Sequence, residues 1–140
     1  MKSKAAIFDP TLFVYRADST AADTSVAKRS ERRAIEMVRA AHDAGTTIDA
    51  GTDGMCDDTD GAIPNVHVEL EMLVRAGLSP LEALTAATRT NALVLGMSAT
   101  HGTIEVGKTA DLLILSADPL ADIRNTRRIA FVVRRGKPLP

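Results

Sequence analysis

Between Ala27 and Asp53 the sequence strings together a helix stripe, a glycine stop, a β-prone run and a glycine-bounded acid. Few folds accept that order. Ala34, Ile35, Val38, Ala41 and His42 fall on one stripe of a helix running from about Ala27 to Ala44, while Arg32, Arg33, Glu36 and Arg39 lie mostly off it. Gly45 stands where a helix-ending glycine belongs. Thr46 to Ala50 then favour a short strand, and Gly51-Thr52-Asp53-Gly54 closes it. Helix, tight turn, strand and acidic loop make half of an α/β repeat, so the expected fold class is α/β.

The flanks extend this frame. Ala5 to Phe8 is an apolar run stopped by Asp9-Pro10, because proline cannot donate to a sheet ladder. Thr11 to Tyr15 is expected to continue as extended chain, and residues 16 to 27 as a loop. After a polar stretch over 55–64, Asn65 is placed to cap a helix from Val66 to Ala76, with Gly77 as its stop. Ser79-Pro80-Leu81-Glu82 carries a full start signal: Ser79 at N-cap, Pro80 at the first helical position and Glu82 three residues on, a capping box. That helix should run to Leu95 and stop at Gly96. Beyond it the character changes. Gly102 and Gly107 bracket an expected short strand over Thr103 to Val106. Asp111 to Leu115 and Ile129 to Val133 read as strands, with a helical turn between Pro119 and Ile123. The natural division is therefore 1–97 and 98–140.

Composition removes several functions. Of the 140 residues 45% are hydrophobic and 25% charged, the globular average, and the net charge of −1 builds no field for nucleic acid or an anionic membrane. Aromatics at 3% offer no stacking platform for bases. The lone cysteine, Cys56, allows no internal disulfide. Met1 to Pro10 lacks the apolar core of a signal peptide, and no stretch approaches the ~20 apolar residues of a membrane span. These features lead us to expect a cytoplasmic protein.

Asp53 is the first candidate for chemistry. By spacing alone it reads as a turn residue that caps its own backbone. A carboxylate at the C-terminal end of a parallel barrel strand would instead contact a metal or a bound water, taking a proton and returning it to a leaving group. Cys56 to Gly61 fails as a calcium loop: with Gly61 at position six, the first ligand position is Cys56 and the twelfth is His67. His42, His67 and His101 form no His-x-His or His-x-x-x-His pair, and one histidine makes no zinc site. Arg127, Arg128, Arg134, Arg135 and Lys137 read as a solvated strand edge.

The ordered set of segments resembles the amidohydrolase superfamily. Phe8-Asp9-Pro10-Thr11-Leu12 is similar to the segment near the seventh barrel strand, and Ala50-Gly51-Thr52-Asp53 to the eighth strand and its aspartate. His67 to Gly77, with Glu69, Glu71 and Leu73, resembles the helix that follows. Leu81 to Leu84, Ala87-Thr88 and Asn91-Ala92 resemble the next. Gly102 to Leu112, the most specific stretch, resembles the return into a small β-sandwich. The likeness is to the branch containing imidazolonepropionases and prolidase-like enzymes.

The resemblance implies the last βα units of a TIM-type barrel (strands seven and eight) over 1–97 and C-terminal β-sandwich strands over 98–140. It implies hydrolysis of an amide or cyclic-amide C–N bond by water activated on a divalent metal, zinc above all. Asp53 becomes both the metal-proximal general base and a metal ligand. The family's other ligands, a His-x-His after the first strand, a lysine or glutamate on the fourth and histidines on the fifth and sixth, have no counterpart in these 140 residues. A whole barrel takes about 250 residues. The chain alone is therefore expected to be inactive and to hold no tight zinc. It should expose sheet edges that drive it to self-associate or to dock onto a polypeptide supplying the rest of the barrel. The alternatives are a subunit completing a split hydrolase and a non-catalytic interaction module.

Overall fold

The computed structural model of the chain describes residues 6–16, 24–53 and 64–139. Strand β1, Ile7–Phe8, pairs in parallel with β2, Thr47–Ile48, in the register Ile7 to Thr47 and Phe8 to Ile48. Parallel strands need a crossover, and helix α1, Thr24–Asp43, supplies it. Helix α2, Asn65–Arg75, and α3, Pro80–Thr85, follow. A π-helical turn over Ala86–Thr90 leads without a break into α4, Asn91–Val94. The C-terminal part is a three-stranded antiparallel sheet: β3, Leu112–Leu115, beside β4, Ile129–Arg134, beside β5, Lys137–Pro138. A 3-10 helix over Ile123–Arg127 lies between β3 and β4. The α/β class holds for the described residues.

The core sits between the parallel pair and the helices. From α1 the stripe residues Ala34 and Val38 are buried; from β2 and the chain just after it, Ile48 and Ala50; from α2, Leu70, Met72 and Leu73. Leu12, Ala76, Leu78, Ala83, Ala86 and Ile123 complete it, with Phe8 packed against it. Strand alternation sends Phe8 and Ile48 to this helix-covered face and their neighbours Asp9 and Asp49 to the other. The capping box at Ser79 forms as expected. The Ser79 side chain accepts the Glu82 N–H at 3.2 Å, and Glu82 accepts the Ser79 N–H at 2.7 Å. Gly45, Gly77 and Gly96 each take the left-handed backbone that ends a helix.

Four local expectations are corrected. Thr11 to Tyr15 is not extended: Thr11 is left-handed at φ 42° and Leu12–Tyr15 is a 3-10 helix, because a buried carboxylate captures its first amides. Helix α1 begins at Thr24, inside the stretch read as loop. Asn65 is the first residue of α2, and its predecessor Pro64 takes the cap position with no side-chain bond. Thr103 to Val106 is irregular chain rather than a strand; no strand among the described residues pairs with it, and Ile104 and Val106 are exposed. The basic end is a hairpin. Arg135 and Gly136 both have positive φ and join β4 to β5.

Candidate active site

Asp53 lies five residues beyond the last paired residue of β2, exposed and with a left-handed backbone at φ 43°. A non-glycine residue in that region is strained by about a kcal/mol. Two features shape the approach to it. A Cβ at Gly51 would lie 2.5 Å from both carboxylate oxygens of Asp9, so any larger residue there would have to push that carboxylate aside. One residue earlier, Ala50 is held by a side chain from across the fold. Its N–H donates to Asn91 Oδ1 at 3.1 Å, and its carbonyl accepts from Asn91 Nδ2 at 2.8 Å.

Beneath this segment, Glu69 is fully buried in the middle of α2. Its two oxygens accept the amides of Leu12 (3.0 Å) and Phe13 (2.6 Å), which open the 3-10 helix after β1. Desolvation dominates its proton affinity and raises it to about 7; the two backbone bonds pull the other way, and Asp9 adds a smaller upward push. Asp49 is 5% exposed and its Oδ1 meets no hydrogen-bond partner among the described residues. Burial first, and Asp9 beside it second, raise its pKa above 3.8.

The histidines separate. His67 is buried on α2, where Nδ1 lies 3.0 Å from Thr126 Oγ1. Since that hydroxyl donates to the Ile123 carbonyl at 2.8 Å, His67 must be the donor to it. Burial, then Arg127, lower its pKa below 6.5. Glu71, one turn on, pairs with Arg127, so α2 clamps the second 3-10 helix through two contacts. His42 meets Glu82 at 3.2 Å, and His101 lies 3.8 Å from Asp111. None of the three reaches Asp53 in a shared cluster. Cys56 and the acidic run to Gly61 lie outside the described residues. Among the described residues no group of three or more His, Cys, Asp or Glu side chains is arranged to hold a metal ion. Asp53 alone does not make a metal site, so these residues do not by themselves fit the zinc that the resemblance implies.

The match to known proteins runs through this whole arrangement. Residues 7–139 fit the model of the amidohydrolase family. The chain belongs to the amidohydrolase family. It is 45% identical over 64 residues to the imidazolonepropionase of Symbiobacterium thermophilum, an alignment covering 44% of this chain and 15% of that protein. A solved Xaa-Pro dipeptidase with methionine bound in its active site superposes with a TM-score of 0.81 at 25% identity, over 95% of this chain and 34% of that one. A putative prolidase from Bifidobacterium longum gives 0.77 at 37% identity, over 96% and 35%. The chain thus spans about a sixth of the curated relative's length and about a third of each solved one.

Sequence reasoning gave Asn91, Glu69 and Asp49 no role at the site; Glu69 and Asn91 entered only as part of the family-like helix segments. Glu69 did leave a signal. It lies on the stripe Glu69, Leu73, Ala76 of α2, where a carboxylate among apolar residues must find internal partners. Asp49 interrupts a β-prone run in the same way.

Proposed function

We propose that the chain carries the catalytic carboxylate of a metal-dependent amidohydrolase that cleaves an amide or cyclic-amide C–N bond. The observation that supports this most is the position of Asp53. It follows the second of two parallel strands joined by a helical crossover, the end where barrel enzymes keep their chemistry. In this reading β1 and β2 are the last two strands of a TIM-type barrel, residues 1–97 are its closing segment, and residues 98–140 are strands of a β-sandwich. The exposed Asp53 accepts a proton from the attacking water and returns it to the departing nitrogen. The small-molecule amide is of the kind named for the relatives, an imidazolone or a dipeptide ending in proline.

Metal dependence belongs to the same reading as the family's expectation, with a divalent ion, zinc first. Because the described residues do not complete a ligand set, the remaining ligands come from outside them. The chain then works as a subunit or segment that completes a barrel, and it associates with the polypeptide supplying the other strands or with further copies of itself. No helix of the described residues is long and apolar enough to cross a membrane; a cytoplasmic site of action is part of the proposal. The test is a hybrid in which residues 7–139 replace the matching third of the Xaa-Pro dipeptidase. It should fold, bind its metal and hydrolyse a Xaa-Pro dipeptide. A folded, metal-loaded hybrid with no hydrolysis would overturn the reading.

A further inference from the structure

We infer that Asn91 is a positioning residue for Asp53, holding the end of β2 where its own sheet can no longer do so. The inference rests on the proposed role of Asp53. Ladder pairing between β1 and β2 ends with the Asp49 N–H donating to the Phe8 carbonyl at 3.2 Å. The β1 chain then enters Asp9-Pro10, and Pro10 has no N–H to offer. Successive residues of a strand direct their N–H and C=O groups to opposite edges. Since Asp49 faces β1, the polar groups of Ala50 face the free edge. There the Asn91 carboxamide donates to one and accepts from the other, as a neighbouring strand would. A planar amide that matches both groups fixes the direction of the backbone as well as its place. Three residues later the chain reaches Asp53 in its left-handed conformation.

The helix is built to deliver this side chain. Asn91 is the first residue after the π-helical turn Ala86–Thr90. A π turn holds one residue more than an α turn, and so rotates every following side chain about the axis. Thr85 and Thr88 hydroxyls donate back to the carbonyls of Leu81 and Leu84, both at 2.7 Å, a pattern that bends helices. Asn91 is itself half-buried.

Two variants test this in the full 140-residue chain. Asn91→Leu keeps the volume and removes both bonds; Asn91→Asp keeps the acceptor for the Ala50 N–H and loses the donor. Hydrogen exchange at the Ala50 amide should speed up about tenfold in the leucine variant and less in the aspartate variant. The carboxyl carbon resonance of Asp53 should move in the leucine variant, while that of the remote Asp111 stays. In the hybrid hydrolase, kcat should fall about tenfold with KM held within about twofold, and the aspartate variant should recover part of the loss. Faster exchange at Ala50 with an unmoved Asp53 resonance would overturn the inference, as would a loss appearing only in KM. A hybrid inactive even with Asn91 intact would defeat the hydrolase reading alone, and the exchange and resonance arms would still decide the role of Asn91. Should the leucine variant fail to fold, the aspartate variant decides by the same readouts.

Discussion

Glu69 Oε2 accepts the amide of Phe13 at 2.6 Å, joining the centre of α2 to the turn that follows β1 across fifty-six positions of sequence. The carboxylate is fully buried and titrates near 7, against an ordinary 4.5, because desolvation outweighs the bonds it accepts. A carboxyl whose folded pKa is raised binds its proton more tightly in the native state. Its contribution to stability is full below 4.5 and is lost as pH rises through about 7. Between pH 5 and 8 the chain should lose stability from this group on the order of 3 kcal/mol. Glu69→Gln should flatten that slope in chemical unfolding at a series of pH values; an unchanged slope would mean that Glu69 titrates normally.

Asp49 works in the same direction for a simpler reason. It is buried, one oxygen lacks a partner among the described residues, and Asp9 sits beside it. Its raised pKa means its stabilising contribution is present below 3.8 and lost as pH rises through the folded value. Asp49→Asn should therefore raise the unfolding midpoint at pH 8 and do little at pH 4. Thermal melts at the two pH values check this, and a stabilisation equal at both would contradict it.

His67 opposes both carboxyls. Burial and Arg127 lower its pKa below the ordinary 6.5, so its contribution is full above 6.5 and lost as pH falls through the folded value. His67→Asn can still donate to Thr126 but cannot titrate, and should remove the acid-side loss. His67→Ala breaks the bond to Thr126 and should cost about 1–3 kcal/mol at pH 8. Because Thr126 sits on the 3-10 helix ahead of β4, amide exchange should rise over Ile123–Arg127 in the alanine variant, more than in α1.

Gly102 packs closely against the helix that carries Ala92. It has φ 92°, and a Cβ there would lie 2.5 Å from Ala92 Cβ and 3.0 Å from the Thr88 carbonyl. Gly102→Ala meets both strain and overlap with backbone, and should destabilise by about 1–3 kcal/mol or more. Gly107→Ala shares the positive φ but meets no atom within 4 Å, and should be milder in the same denaturation series. Equal effects would show that strain alone matters at Gly102.

What the sequence made legible was local and periodic. The stripe through Ala34 and Val38, the box of Ser79 and Glu82, the glycine stops and strands β3 and β4 each depend on residues a few positions apart. The 3-10 helix at Leu12–Tyr15 could not be read that way, because the carboxylate that secures it lies far along the chain at Glu69. The π turn before Asn91 has no composition that distinguishes it from an α-helix, so the meeting of Asn91 with Ala50 stayed hidden. Thr103 to Val106 has strand-forming residues but no partner strand in the described fold. Asp53 was found through the ordered family likeness, since its own tetrapeptide is that of a turn.

In the proposed hydrolase Asp53 is the carboxylate that moves the proton. Its most direct test is the turnover of a Xaa-Pro dipeptide by the hybrid dipeptidase carrying residues 7–139, compared with its Asp53→Asn variant at matched metal content. Loss of a reacting general base should lower kcat by about 10²–10⁴-fold while the fold and the dipeptide's binding persist. An Asp53→Asn hybrid that turns over at the unaltered rate would contradict the account.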